Sequence, residues 1–179
     1  MRSWLFVPGD SEKKLANVAR CAADVVIVDL EDAVTPQNKA AARGLAREWL
    51  REQRRAGTAS QCWVRINALG TPLWREDLET VIPAAPAGVM VAKAAGPGQL
   101  QTLAAEIHDL EQRSGLPIGS TRLLPLVSET PAAALGIAEY AAVRVPRLAG
   151  LTWGAEDLSA ALGASRKRDA HGSWTDTFR

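Results

Sequence analysis

Short apolar runs alternate along the chain with segments whose apolar residues recur at helical spacing. Six runs are nearly uninterrupted and of strand length, as in parallel strands buried on both faces. They are residues 4–7, 25–29, 63–66, 89–91, 123–127 and 148–153. Between them, apolar residues three or four positions apart predict core-facing helices, one from Ala42 to Leu50 and another from Leu100 to a stop at Gly115.

Three Thr-Pro pairs follow the second, third and fifth predicted strands. Threonine can cap a helix while proline occupies its first turn, so each pair predicts a helix start. The pairs are Thr35-Pro36, Thr71-Pro72 and Thr130-Pro131. The resulting βα alternation requires right-handed crossovers and leaves two architectures open, a (β/α) barrel or an open doubly wound sheet.

Polar and charged side chains stand at the ends of four predicted strands. They are Asp29, Glu31 and Asp32 after the second strand, Arg65 and Asn67 after the third, Glu129 after the fifth, and Glu156 and Asp157 after the sixth. Both architectures place functional residues at the carboxyl ends of strands, but contributions from four strands favour a barrel. Carboxylates with one arginine suit a divalent metal and an anionic substrate. The sequence has no Gly-x-Gly-x-x-Gly motif, so Rossmann-type nucleotide binding is not expected.

Composition narrows the class of partner. The 179 residues are 47% hydrophobic and predict one domain spanning 1–179. Lys plus Arg is 21 against 20 Asp plus Glu, and a net charge of +1 gives no field to recruit nucleic acid or an anionic membrane. We therefore expect a small-molecule partner. No apolar run approaches the roughly 20 residues of a membrane span, so a cytoplasmic location is the default expectation.

The cysteines and histidines lack metal-ligand spacing. Cys21 and Cys62 are expected to be small buried side chains in a reducing compartment, and His108 and His171 to be ordinary surface residues.

Six ordered motifs resemble one known family. They are VPGD, VVIVDLEDAV followed by Lys39 and Ala42-Arg43, VRINALGTPLWREDL, VMVAKA, PLVSET and LTWGAEDLSAALG. From about Trp4 to Gly163 the chain resembles the citrate lyase beta-subunit-like group of the HpcH/HpaI aldolase superfamily. The resemblance implies a TIM (β/α)8-type barrel, commonly a homotrimer, that uses Mg²⁺ to make or break a carbon–carbon bond in acyl-CoA thioesters.

The resemblance also implies roles for individual residues. It makes Glu129 and Asp157 the magnesium ligands, with substrate oxygens completing the shell, and Arg65 the substrate-binding arginine. Two carboxylates from separate strands are an appropriate protein contribution to a magnesium site. The side chain of Glu156 should diverge from that of Asp157, so we expect only Asp157 to touch metal. Arg65 could instead form a structural ion pair, but its position at a strand end beside Asn67 favours a substrate role.

Other charged residues are open to two interpretations. Asp29, Glu31 and Asp32 either stabilise the loop after the second strand or, with Asn67, orient the metal site, and both roles are compatible. Relatives place a basic residue against the phosphates of CoA near Lys13. For Lys13, as for other basic residues, we slightly favour a solvated surface charge. The others are Lys14, Lys93 and Arg166-Lys167-Arg168.

Two departures from the family pattern affect the expectation. Ala92 in VAKA and Ser128 in VSET are expected to alter the shape of the pocket without removing a ligand. A complete barrel takes about 250 residues, whereas the motifs end after six βα units. In relatives, the remaining region closes the barrel and supplies an acidic acid/base residue to a neighbouring subunit. The chain is therefore expected to be a truncated barrel, either part of a longer lyase, which we favour, or a naturally short homologue.

The leading functional prediction is a magnesium-dependent lyase for a hydroxyacyl-CoA thioester such as citryl-, citramalyl- or malyl-CoA. The alternatives are an aldolase for free 2-oxo acids, an acyl-CoA thioester hydrolase, and a noncatalytic acyl-CoA-binding or assembly subunit.

Overall fold

Five parallel strands form one sheet in the computed structural model, which describes residues 2–18 and 20–178. The strands are β1 (Trp4–Pro8), β2 (Val25–Asp29), β3 (Gln61–Ile66), β4 (Gly88–Val91) and β5 (Arg122–Pro125). Each strand pairs with the next one in the sequence, in the order β1-β2-β3-β4-β5. A doubly wound sheet reverses its order at a switch point, whereas a barrel wall runs in sequence order. The predicted barrel-type α/β fold is confirmed.

Across the described residues 2–18 and 20–178, seven α-helices connect or follow the strands. They are α1 (Glu12–Val18), α2 (Lys39–Ala56), α3 (Leu73–Val81), α4 (Pro97–Arg113), α5 (Pro131–Leu135), α6 (Glu139–Ala142) and α7 (Ala155–Ala161), with short 3₁₀ turns at Pro36–Asn38, Ile82–Ala84 and Asp176–Phe178. The predicted helical stripes lie on α2 and α4 and are buried there. All three Thr-Pro pairs precede helical turns. Thr130 caps α5, where its hydroxyl accepts a hydrogen bond from Ala133 N at 3.2 Å, while Thr35 makes no such bond.

The predicted sixth strand, 148–153, does not form a regular strand. It touches β5 and the residue after it through two isolated parallel bridges, Leu123 to Leu148 and Leu126 to Thr152. The two bridges are three residues apart on one side and four on the other, so the second segment carries one extra residue. Such an insertion interrupts the ladder, and Pro125 has no N–H to contribute. The segment therefore follows β5 in parallel but as a bulged chain.

The two faces of the sheet differ in what covers them. One face packs against the helices in a large apolar core. The other carries a smaller cluster drawn from the strands and the residues beside them: Val25, Ile27, Trp63, Met90, Leu124 and Leu126. This second face corresponds to a barrel interior. Gly88 leaves room for the indole of Trp63, because an added Cβ would lie 2.4 Å from that ring.

The cysteine prediction is wrong in part. Cys21 is exposed, because it lies in the turn after α1 and outside the helix–sheet core. Cys62 lies half-buried on β3, and its burial raises the pKa of the thiol. His108 and His171 are exposed, as predicted. Within the part of the chain that the structure describes, none of the helices combines the length and apolar character needed to cross a bilayer.

Candidate metal and substrate site

A cavity of about 640 Å³ opens at the carboxyl ends of the strands. Several of the residues predicted from strand ends line it together. The lining comprises Phe6, Asp32, Arg65, Leu126, Glu129, Trp153, Gly154, Ala155, Glu156, Asp157, Trp174 and Phe178. Arg65, Glu129 and Asp157 therefore face one space, although they lie up to 92 positions apart in the sequence.

Asp29 and Arg65 form the best-defined ion pair of the site. They are register partners on β2 and β3, which places their side chains on the same face. Arg65 donates from Nε at 2.8 Å and from Nη2 at 2.5 Å to the buried carboxylate of Asp29. Asp29 also accepts from the backbone N–H groups of Glu31 and Ala33, at 2.8 and 3.1 Å. One carboxylate thus fixes both the loop after β2 and the orientation of the guanidinium.

The ion pair leaves one end of Arg65 less engaged. Its Nη1 lies 3.4 Å from a carboxylate oxygen of Glu31. The guanidinium carbon lies 5.1 Å from the centre of the Phe6 ring, which also lines the cavity. Arg65 forms the structural pair that the sequence left open, and it also presents a cationic group to the cavity.

Glu129 and Asp157 approach each other from different elements. Glu129 follows β5 and is only 5% exposed, while Asp157 lies in the first turn of α7. Burial, together with the neighbouring Asp157 carboxylate, raises the pKa of Glu129 to about 7. Two carboxylates held together in a poorly hydrated place repel each other, and a bound cation relieves that repulsion.

Gly154 gives Glu129 the space it occupies. A Cβ added at Gly154 would lie 2.5 Å from Cγ of Glu129 and 3.2 Å from its Cδ and Oε1. The N–H of Gly154 donates to Oγ of the fully buried Ser128 at 2.7 Å. Ser128, which departs from the family pattern, therefore positions the chain that packs against Glu129.

Lys93 is a site residue that sequence reasoning missed, since it was expected to be a solvated charge. Its backbone N–H donates to Glu129, and its ammonium contacts Glu31. The same ammonium lies 3.2 Å from Asp32 and 3.5 Å from Asp157. Although burial opposes its charge, the Glu31 and Asp32 carboxylates raise the pKa of Lys93. The sequence signal that could have identified Lys93 was its position two residues after the end of β4, where functional residues of such folds lie.

A buried polar network stabilises the loop after β2. Lys39 donates to the carbonyl oxygens of Leu30 and Glu31 and to Oδ1 of Asn67, each at 2.7 Å. Asn67 in turn donates from Nδ2 to the buried carboxylate of Asp77 at 2.7 Å. Asn67 therefore acts through the loop backbone and does not line the cavity.

Glu31 and Asp32 both contact the ammonium of Lys93, but they differ in burial and in the direction of their pKa shifts. Glu31 is buried, and this burial raises the pKa of its carboxyl. Its Oε2 accepts from the N–H of Asp32 at 3.0 Å. Despite partial burial, hydrogen bonds involving Glu31 and Lys93 lower the pKa of Asp32, which lines the cavity. The loop residues combine local turn bonding with contacts to the site.

Glu156 and Asp157 both line the cavity but have different ion-pair partners. Glu156 pairs with Lys167, and it lies 3.7 Å from Arg168. These partners correct part of the prediction for the basic run, since two of its residues form ion pairs and are not simply solvated. Lys13 is exposed in the first turn of α1 and does not line the cavity. The structure does not bring Lys13 together with the other candidates.

The segment after Gly163 contributes aromatic lining that the sequence did not reveal. Arg168 and Trp174 form an antiparallel bridge, and the guanidinium lies 3.8 Å from the centre of the indole. Phe178 is 3% exposed, with its ring centre 6.4 Å from that of Trp174. This segment has no apolar periodicity in the sequence. Its turn is held by polar contacts, since Asp169 accepts from the N–H groups of His171 and Ser173.

The donor set fits magnesium better than a metal that needs a complete protein shell. Across residues 2–18 and 20–178, no group of three or more His, Cys, Asp or Glu side chains is arranged to hold a metal ion. Magnesium is commonly bound through one or two carboxylates while it retains waters or takes substrate oxygens. The converging pair of Glu129 and Asp157, cradled by Gly154, matches that requirement.

The chain is similar to several curated proteins and solved structures. A citrate lyase subunit beta-like protein of Mycobacterium tuberculosis is 39% identical over 176 residues, covering 98% of this chain and 55% of the relative. A (3S)-malyl-CoA thioesterase of Cereibacter sphaeroides is 34% identical over 168 residues, covering 94% of this chain and 53% of the relative. The chain spans about half the length of these curated relatives.

One of the solved structures is that of CitE from M. tuberculosis in complex with magnesium, acetoacetate and coenzyme A. It is 38% identical, with a TM-score of 0.70, and the match covers 98% of this chain and 57% of that one. The HpcH/HpaI aldolase/citrate lyase family model matches residues 2–173. With that match over almost the whole chain, and with a sequentially ordered parallel sheet beneath an acidic cavity, the chain belongs to the HpcH/HpaI aldolase/citrate lyase family.

Proposed function

We propose that the protein is a magnesium-dependent carbon–carbon lyase for a hydroxyacyl-CoA thioester of the citryl-, citramalyl- or malyl-CoA type. The observation that carries the proposal is the convergence of Glu129, Asp157 and Arg65 on one cavity. Family membership supports the reaction class. The M. tuberculosis structure with magnesium, acetoacetate and coenzyme A supports the ligand class.

Glu129 and Asp157 would hold Mg²⁺ in this proposal. When bound, the ion would act as a Lewis acid toward the oxygen atoms of the oxo-acid half of the substrate. Both carboxylates must be ionised to bind a divalent cation, so Glu129 has to lose its proton first. Its raised pKa of about 7 makes the cation and a proton competitors for the same oxygens.

Arg65 would stabilise the charge that develops during cleavage. The bond between the hydroxyl-bearing carbon and the thioester alpha carbon breaks, and the hydroxyl proton passes to a base. The bonding electrons form the thioester enolate, and protonation of its carbon yields the acyl-CoA. The other product is an oxo acid. Asp29 holds the guanidinium through two hydrogen bonds, so Arg65 needs little reorganisation to meet the enolate oxygen.

Thioester hydrolysis is a second candidate, favoured by the similarity to a (3S)-malyl-CoA thioesterase. In that reaction water attacks the thioester carbonyl, and Arg65 would face the resulting oxyanion. The products distinguish the two reactions. Hydrolysis releases the free thiol of CoA, which a thiol reagent detects, whereas lyase cleavage leaves the thioester intact and yields an oxo acid.

We also propose that the protein assembles as a homotrimer in the cytoplasm. Leu135 in α5 is 89% exposed, and this apolar surface supports contact with another subunit. Light scattering over a range of concentrations tests the association, and a monomer at all of them would contradict it.

Magnesium titration by calorimetry tests the site. Glu129→Gln and Asp157→Asn each remove one negative charge with little change in shape, and each should weaken Mg²⁺ binding by at least about tenfold. Glu156→Gln is the matched control, because this neighbouring carboxylate pairs with Lys167, and it should bind Mg²⁺ as the parent does. Unchanged affinity in both site variants would refute the assignment.

Arg65→Lys separates the substrate role from the metal role. It keeps a positive charge beside Asp29 but loses the two-pronged geometry. We expect near-parental Mg²⁺ affinity together with weaker acyl-CoA binding or slower turnover on a panel of hydroxyacyl-CoA thioesters. Parental binding and turnover would show that Arg65 is only a structural partner of Asp29.

A further inference from the structure

Lys93 contacts four acidic side chains around the cavity. Its backbone N–H donates to Glu129, and its ammonium reaches Glu31, Asp32 and Asp157. These carboxylates come from three separate parts of the chain. Lys93 is therefore the residue through which the loop after β2 and the proposed metal ligands meet.

The backbone at Lys93 adopts a conformation that is less favourable for lysine than for glycine. Its φ is 50°, in the left-handed region that favours glycine and costs another residue about 1 kcal/mol or more. Glycine would donate the same N–H to Glu129 without this strain. The strained backbone is therefore accompanied by something that only the side chain supplies, namely the ammonium between the carboxylates.

The position of the ammonium has an electrostatic consequence. A divalent ion between Glu129 and Asp157 would have the Lys93 charge close by, since Nζ lies 3.5 Å from Asp157. Like charges at this range repel by an energy that is substantial even in a partly solvated site. The ammonium also engages Glu31 and Asp32, which would otherwise add negative charge to the metal's surroundings.

We propose that Lys93 is a positioning residue that limits the affinity of the site for divalent cations and restricts the metal to Glu129 and Asp157. The inference rests on the proposed function, because it assigns the metal to those two carboxylates. With Glu31 and Asp32 held by Lys93, the protein supplies two ligands, and the remaining coordination positions stay open to substrate oxygens.

Mg²⁺ titration by calorimetry on the full chain tests this role. Lys93→Met and Lys93→Gly should both bind Mg²⁺ at least about tenfold more tightly than the parent. Lys93→Arg, which keeps the charge, should stay within about threefold of the parent. Lys14→Met removes an exposed lysine on α1 and controls for the change in net charge, so its affinity should not change.

Lys93→Met and Lys93→Gly remove the ammonium in two different ways. Lys93→Gly relieves the backbone strain, so it provides the test even if Lys93→Met does not fold. A purely structural role predicts unchanged or weaker binding in both variants, and that result would overturn the inference while leaving the Glu129–Asp157 site intact. A parent that binds no Mg²⁺ would overturn the proposed metal site itself, together with the role of Lys93.

Discussion

Gly154→Ala tests whether the shape of the cavity, and not only its charge, determines metal binding. The substitution adds one carbon directly against the side chain of Glu129. Gly154 has φ −116°, outside the left-handed region, so alanine brings no left-handed backbone strain. The effect should therefore arise from the new contact.

The size of the effect follows from the distances. The added Cβ would lie 2.5 Å from Glu129 Cγ, whereas carbon atoms in contact stay about 3.5 Å apart, so one of them must move by about 1 Å. Glu129 has little freedom to move, because it is 5% exposed and accepts a hydrogen bond from Lys93 N. Overpacking of this kind costs roughly 1 to 3 kcal/mol. If Glu129 moves aside in the free protein and must return to bind the ion, this cost appears as a loss of between about fivefold and about 150-fold in Mg²⁺ affinity.

The assay is Mg²⁺ titration of Gly154→Ala beside the matched control Gly44→Ala. Gly44 lies inside α2, and an added Cβ there would meet no heavy atom within 4 Å. Alanine should therefore stabilise α2 by roughly 0.5 to 1 kcal/mol and leave Mg²⁺ affinity unchanged. If Gly154→Ala binds Mg²⁺ as tightly as the parent and unfolds at the same temperature, the cradle around Glu129 plays no part in the site.

Two further predictions concern stability. Although burial opposes its charge, Arg147 at 2.8 Å and the N–H groups of Thr121 and Gly119 lower the pKa of Glu111 from 4.5 to about 2. This carboxylate should contribute about 3 kcal/mol above pH 4.5, and the contribution should disappear as the pH falls through about 2. Urea denaturation of Glu111→Gln should show a flatter acid limb; an unchanged profile would contradict the assignment. Lys39→Met removes three hydrogen bonds. Leu30 O keeps the Asn67 amide as a donor and Glu31 O keeps the N–H of Val34, so the main loss is at Asn67 Oδ1 and should cost roughly 2 kcal/mol. Exposed Lys14→Met should cost almost nothing; equal midpoints in urea for the two variants would show that Lys39 does not support the loop after β2.

The sheet was largely predictable because its signal is local. A strand buried on both faces is an uninterrupted apolar run, so each of the strands β1 to β5 is recognisable in the sequence. The parallel order then placed their ends together, which brought Arg65 beside Asp29. The segment 148–153 carries the same apolar signal, but its one-residue insertion relative to β5 is a matter of pairing that composition does not reveal.

The missed parts of the site depend on contacts between distant segments. Lys93 looks like an ordinary lysine after a strand, and its role follows from contacts with Glu31, 62 positions away, and with Asp157. Trp174 and Phe178 reach the cavity only because the turn around Asp169 directs the chain back. Such contacts depend on loop geometry, for which hydrophobic periodicity carries no information.

The loop after β2 explains why this site can be organised before any ligand arrives. Asp29 fixes the loop through the N–H groups of Glu31 and Ala33, while Lys39 donates to the carbonyl oxygens of Leu30 and Glu31. With its donors and acceptors both satisfied, the loop has little reason to rearrange. The same Asp29 orients Arg65, so the backbone turn and the guanidinium that faces the cavity share one anchor. A substitution at Asp29 should therefore disturb the loop and the guanidinium together, whereas one at Lys39 should disturb the loop and leave the Asp29–Arg65 pair in place.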